Sequence, residues 1–284
     1  MKIPHPSPSQ GPTRRRLLVG AGLVGGGLAT AAAVDGFLVT PGRLRTTDHA
    51  LGSPGTRPKV RLAQVSDLHL RSMGRLETQL LTALHDSRPD LLLFTGDMID
   101  RRLDLWRLET FLRECPAGPR RFAILGNWEY WAGVPTEALE RLYDRHGVEL
   151  LVNRSVEVAV AGTRVRVTGL DDLRGGRPDP STALESSAPT PNHLVLAHCP
   201  LCRDSVALPA EHPADLMLAG HTHGGQVAVF GHPLVLPEGS GRYVAGWYRD
   251  AGPPMYVSRG IGTSLLPVRL GTPPELVRID WAVA

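Results

Sequence analysis

From about Lys59 the chain alternates short, mostly apolar runs with longer stretches in which apolar residues recur every three or four positions. The short runs at 60–66, 91–95, 122–125, 194–197 and 216–219 predict buried strands. Helical spacing is clearest over 76–87 and 103–114, and a third helix is predicted over 135–145 with Thr136 as its cap. After Gly147 the pattern turns to short strands: 156–160 and 164–168 predict a hairpin around Ala161-Gly162. Residues 174–191, rich in Gly, Pro and Ser, predict a loop, and no internal repeat is present. This alternation is that of an α/β domain, and about 225 residues remain for it once a leader (1–39) and a Pro/Gly/Thr-rich linker (40–58) are set aside.

Five of the apolar runs end on residues that bind metals. In order these are Asp67-Leu68-His69, Gly96-Asp97, Gly126-Asn127, His198, and Gly220-His221-Thr222-His223-Gly224-Gly225-Gln226. Strand C-termini are where an open α/β sheet places its ligand crevice. Asp67 and His69 are two apart, so on a continuing strand they would share a face. Singly, most of these clusters are ordinary turn sequences, because Gly-Asp and Gly-Asn are common turn dipeptides and Asp-x-His reads as a cap. The pair His221 and His223, flanked by glycines, has no obvious packing purpose. Jointly the clusters supply hard oxygen and imidazole donors for two metal sites that share a carboxylate, a pattern suited to phosphoester chemistry. His5, His49, His85, His146, His193, His212 and His232 lie outside the clusters and are expected at the surface or in loops.

The clusters resemble the five motifs of the calcineurin-like metallophosphoesterases. The glycine-rich last motif, Gly169-Leu170-Asp171-Asp172, the segment Tyr256-Val257-Ser258-Arg259-Gly260-Ile261-Gly262-Thr263 and Pro273-Pro274-Glu275 resemble the exported, YkuE-like bacterial branch. The resemblance runs from about Lys59 to Asp280 and implies a four-layer fold, a central β-sandwich flanked by α-helices, with a dinuclear centre at one edge. It implies one divalent metal held by Asp67, His69, Asp97 and His223, and a second by Asp97, Asn127, His198 and His221, with Asp97 bridging. The donor mixture suits manganese, iron or zinc without choosing among them. By the same resemblance Asp97, Asn127, Trp128 and Glu129 are the expected catalytic positions. One of them departs from the family: where the third motif usually reads Gly-Asn-His, this chain has Gly126-Asn127-Trp128-Glu129. The family histidine is thought to touch the phosphate and assist the leaving group, whereas an indole donates one hydrogen bond and passes no proton at neutral pH. General acid assistance is worth about 10²–10⁴-fold in rate. The expected function is hydrolysis of a phosphomonoester or phosphodiester of a small molecule or lipid. The alternative is a catalytically weakened metal-holding protein that binds a phosphorylated envelope ligand.

Residues 17–34 carry no charge and follow Thr13-Arg14-Arg15-Arg16. That pattern fits a twin-arginine export signal, with Ala31-Ala32-Ala33 as a cleavage site, or else a weak membrane anchor. An extracytoplasmic location is therefore expected, with membrane association possible through this segment. Residues 1–57 hold seven Lys or Arg against two Asp or Glu, a balance of +5, so of the whole-chain +3 the remainder carries −2. No broad basic face for nucleic acid is expected. Three cysteines cannot all pair within one molecule, and Cys199-Pro200-Leu201-Cys202, without a second such pair, reads as structural thiols, free or paired.

Overall fold

The computed structural model describes residue 30 and residues 33–52, 58–185 and 187–284. Residues 1–29 and 31–32, which include the leader's arginines and most of its cleavage site, lie outside the described residues. Asp35–Val39, read as the end of the leader, form a helical turn whose Gly36 carbonyl accepts the Arg269 N–H at 2.8 Å. Among the described residues no helix is long and apolar enough to cross a membrane.

Two six-stranded sheets pack face to face. The first has the order β1 (Arg45–Leu51), β14 (Glu275–Ala282), β2 (Lys59–Val65), β3 (Leu91–Thr95), β4 (Arg120–Ile124), β5 (Val148–Leu150). The second runs β12 (Gly246–Tyr248), β13 (Met255–Val257), β9 (Leu216–Ala219), β8 (His193–Leu196), β7 (Thr163–Gly169), β6 (Arg154–Val160). Period-two geometry, with both faces of the central strands covered, explains why their runs are mostly apolar. Val60, Leu62, Leu91, Leu93, Phe122 and Ile124 face the other sheet and meet Leu194, Leu196, Leu216 and Leu218 there. The intervening Ala63, Val65, Leu92, Phe94 and Ala123 face outward, where the helices Arg75–Ser87, Leu105–Glu114 and Thr136–Arg145 cover them. Leu80, Leu84, Leu108, Phe111, Leu139 and Tyr143 are the covering residues. Over the outer face of the second sheet the cover is thinner, built from the short helix Cys202–Ser205 and the loop carrying Tyr243.

β2 through β5 are mutually parallel, as are β7, β8, β9 and β13, so their C-terminal ends gather at one edge of the sandwich. The hinge between sheets there is polar. The Gln64 amide donates to Thr95 Oγ1 and to the Ala219 carbonyl, both at 2.9 Å.

Several expectations need correction. Residues 45–51, read as linker, form β1, which pairs in parallel with β14 from Arg45↔Glu275 to Leu51↔Trp281. Thr136 opens its helix without capping it; Pro135 holds the cap position and no side chain bonds there. The loop after Arg174 contains the helix Pro180–Leu184, capped by Asp179, which accepts from the Thr182 N–H at 3.0 Å. His193 and His212 are buried rather than superficial. His193 is satisfied by Thr168 Oγ1 at 2.8 Å and the Pro213 carbonyl at 3.1 Å, and His49 packs edge and face against Trp247 and Tyr256. His5 lies outside the described residues.

Candidate metal centre

All seven expected ligands converge at the polar edge. Asp67 and His69 follow β2, Asp97 follows β3, Asn127 follows β4, His198 follows β8, and His221 and His223 follow β9; every one is buried. Their ligand atoms fall into two groups, Asp67 with His69 and His223, and Asp97 with His198 and His221. Asp97 Oδ2 lies 3.1 Å from His198 Nε2 and 3.8 Å from His69 Nε2, so its carboxylate reaches both groups. The Nε2 atoms of His69 and His223 face each other at 3.0 Å, and His221 Nδ1 faces His198 Nε2 at 3.2 Å. Asn127 Oδ1 is buried with no hydrogen-bond partner. A buried amide oxygen left unpaired beside two clusters of imidazole and carboxylate is what a divalent cation would satisfy. The residues present therefore fit two such ions.

Turning these side chains inward requires unusual backbone. Asp67, His69, Asp97, His221 and His223 have φ of 50°, 43°, 54°, 71° and 51°. Left-handed conformations cost non-glycine residues about 1–3 kcal/mol each and persist where the surroundings enforce them. The motif glycines serve close approach. A Cβ on Gly126 would lie 2.6 Å from the Asp97 nitrogen, and one on Gly96, itself at φ 88°, would lie 2.6 Å from His198 Nδ1.

The ligands are held by a surrounding layer that spacing in the sequence did not reveal. Asp100, three residues past Asp97, accepts from His69 Nδ1 and from Arg71 Nε, the latter at 2.6 Å. His198 Nδ1 donates to the Thr95 carbonyl and His221 Nε2 to the Glu238 carbonyl, each at 2.8 Å. These bonds fix which nitrogen of each ring points inward. Arg269, fully buried, lies 3.1 Å from His223 Nδ1 through its Nη2 and donates to the carbonyls of Gly262, Thr272 and Arg259. Asp67 accepts the His221 N–H, and Asp97 Oδ1 accepts the Trp128 N–H at 2.8 Å.

Glu129, expected among the catalytic residues, turns away from the reacting space. Its carboxylate accepts the N–H groups of Asp97 (3.1 Å), Met98 (2.6 Å), Ile99 (3.4 Å) and Gly126 (2.9 Å). It is a positioning residue that ties the loop bearing Asp97 to the loop bearing Asn127. Burial, reinforced by the Asp97 charge, pushes its carboxyl up to about 7, against the pull of the N–H donors.

Charge is divided unevenly across the site. Burial opposes ionisation of Asp97, yet His198 and His69 outweigh it and hold the carboxyl at about 2. Burial likewise disfavours a charged His198, but the Asp97 carboxylate holds its pKa well above the usual imidazole value. Burial pushes His223 down, helped by His69 and Arg269, and so favours its neutral ring. Asp67, by contrast, is raised by burial.

Trp128 stands edge-on to His69, ring centroids 5.9 Å apart at 87°, and packs at 5.4 Å against Trp131, which is largely exposed. Tyr130 turns the other way and donates to Asp171 at 2.5 Å. Cys199 and Cys202 are free and buried; the Cys199 thiol donates to Asp172 at 3.3 Å, and burial pushes the Cys202 thiol up to about 12. They pack beneath the site as inert apolar side chains.

A buried set of imidazole, carboxylate and amide donors, split in two and joined through one aspartate at the edge of a β-sandwich, defines a dinuclear hydrolytic centre. The chain belongs to the calcineurin-like phosphoesterase family, whose description matches residues 60–225. It is 31% identical to the metallophosphoesterase YkuE of Bacillus subtilis over 279 residues, covering 93% of this chain and 96% of that one. It is 34% identical to the phosphodiesterase YaeI of Escherichia coli over 201 residues, 69% of this chain and 71% of the relative. Among solved structures, the Haemophilus influenzae NAD nucleotidase aligns at a TM-score of 0.48 and 15% identity, over 72% of this chain and 45% of that structure. The protein is a metal-dependent phosphoester hydrolase.

Proposed function

We propose that the protein is a phosphodiesterase acting outside the cytoplasm, on esters whose leaving group departs without a proton from the protein. The observation that carries the proposal is the residue at position 128. An indole ring, edge-on to His69, occupies the third motif, while the donors around Asp97 remain complete. When bound, two divalent cations supply Lewis acidity, lowering the pKa of water and offsetting charge on phosphoryl oxygens. The chain's own residues then do the rest. Asp97 and Asn127 orient the centre, Glu129 fixes the two loops that carry them, and Trp128 excludes water on the His69 side without donating a proton. Trp128 and the exposed Trp131 form an aromatic shelf suited to an apolar or flat part of the substrate. The similarity to YaeI, a phosphodiesterase by name, supports the diester. The extracytoplasmic location is supported by the uncharged run at 17–34 that follows Arg14-Arg15-Arg16.

Manganese-loaded protein is expected to hydrolyse bis(p-nitrophenyl) phosphate, and Asp97→Asn to abolish that rate. Trp128→His should accelerate alkyl esters with poor leaving groups while leaving the nitrophenyl ester nearly unchanged. Equal acceleration of both would refute the leaving-group assignment. No turnover of the activated ester, with both metals held, would favour a binding protein instead.

A further inference from the structure

We infer that the edge of the domain beside the Asp67–His69–His223 group is a docking face for a lipid bilayer, presenting membrane-borne phosphoesters to the site. The substrate part of this inference rests on the phosphoesterase reading above. Three segments build the edge. The first is the hairpin β10 (Ala228–Val229) and β11 (His232–Pro233), with Phe230 at its tip. The second is the loop carrying Leu265 and Leu266. The third is the helical turn Asp35–Val39 at the start of the domain. Backbone bonds join them: Ala228 donates to the Leu270 carbonyl at 2.8 Å, Leu270 to Gln226 at 3.0 Å, and Arg269 to Gly36 at 2.8 Å. The Gln226 amide donates to the Ser264 and Leu266 carbonyls, both at 3.0 Å. The same segments are bolted to the metal ligands. Gly262 donates to the Asp67 carbonyl at 2.7 Å, and the Arg269 guanidinium lies 3.1 Å from His223 Nδ1.

This edge carries large apolar side chains that are mostly exposed. Phe230 is 98% exposed, Leu265 77% and Leu38 76%, with Leu234, Val235 and Leu266 also open to solvent. Large exposed apolar side chains gathered on segments that are hydrogen-bonded to one another mark a binding face rather than scatter. The backbone sharpens the point. Phe230 and Leu265 sit at φ 50° and 58°, where glycine or asparagine would be unstrained and would expose no apolar area. A bulky apolar residue at such a tip gains neither packing nor backbone ease within the molecule.

The chain itself indicates what covers the face. The uncharged residues 17–34, preceded by Arg14-Arg15-Arg16, lead into the turn at Asp35. The segment with most affinity for lipid therefore joins the domain at the edge where Phe230, Leu265 and Leu266 project. A bilayer holding that segment would meet these tips, whereas a protein partner would need no such continuity.

The test uses the full chain and vesicles of phosphatidylcholine and phosphatidylglycerol in equal parts. The combined variant Phe230→Ser, Leu265→Ser, Leu266→Ser should partition onto vesicles about tenfold more weakly or worse, since three apolar side chains no longer enter the interface. Its rate on an acylated fluorogenic phosphodiester embedded in the vesicles should fall in step, with kcat/KM for soluble bis(p-nitrophenyl) phosphate unchanged. In Phe230→Trp, otherwise wild type, the new indole should be quenched by brominated lipid. Unchanged partition with no quenching would overturn the inference, leaving the leader as sole anchor. Loss of self-association in sedimentation, with vesicle binding intact, would overturn it in favour of a protein interface. If the soluble ester is not hydrolysed at all, the enzymatic reading fails, while partition and quenching still decide the docking face.

Discussion

Gly126→Ala puts a single methyl group where the structure has no room for it. The new Cβ would lie 2.6 Å from the Asp97 nitrogen and 2.9 Å from its Cγ, with Oδ1 closer still. Ordinary carbon contacts begin near 3.4 Å, so either the Asp97 carboxylate or the Gly126 backbone must move by about 1 Å. Backbone conformation adds nothing to the cost, because Gly126 has φ −105°, which alanine adopts freely. Overpacking of this kind costs about 1–3 kcal/mol in stability. The larger effect falls on activity. Asp97 Oδ2 lies near both His198 and His69, and a displacement of about 1 Å at such a position costs about 10²-fold in rate. Gly118→Ala serves as the control, since a Cβ there meets nothing within 4 Å. The assay is kcat/KM for bis(p-nitrophenyl) phosphate with saturating manganese, alongside thermal unfolding of both variants. A Gly126→Ala enzyme that keeps activity within about twofold of wild type would refute the claim that this close approach fixes the bridging carboxylate.

Asp100→Ala should weaken binding of one of the two metals about 10–100-fold, because it frees the His69 ring and leaves its Nδ1 unpaired. Chelator competition measures this, and an unaltered affinity would contradict the role given to Asp100. Asp90 should contribute to acid stability: its hydrogen bond with Arg61 holds the carboxyl below its ordinary value of 3.8, with partial burial opposing. A depressed acid stabilises the fold above its unfolded pKa and loses that contribution as pH falls through the folded value. The pair is solvent-screened, so the wild-type advantage over Asp90→Asn in urea unfolding should be under about 1 kcal/mol near neutrality and vanish below the carboxylate range. A difference that grows on acidification would show the sign to be wrong.

The central strands and the seven candidate ligands that the fold brings together were legible because both are local signals. An apolar run that ends on Asp, Asn or His states its own strand and its own donor, as at Thr95-Gly96-Asp97 and Ala197-His198. What remained hidden depends on contacts between distant residues. β1 read as linker because its partner β14 lies at the far end of the chain, and only that pairing makes 45–51 a strand. Asp100, Arg269 and the true role of Glu129 have no periodic signature; each is defined by the atoms that folding brings to it. His193 and His212 look like surface residues in sequence because nothing there announces the hydrogen bonds that let polar rings enter the interior. Acidic and basic residues close to a motif therefore deserve testing as supports of ligands before they are assigned to chemistry.

Anomalous diffraction from manganese-loaded crystals tests the central claim most directly. Two peaks about 3.5–4 Å apart are expected, the separation usual for paired-metal hydrolases. One should be bounded by Asp67, His69 and His223, the other by Asn127, His198 and His221, with the Asp97 carboxylate contacting both. A single peak, or two that do not share Asp97, would contradict the account.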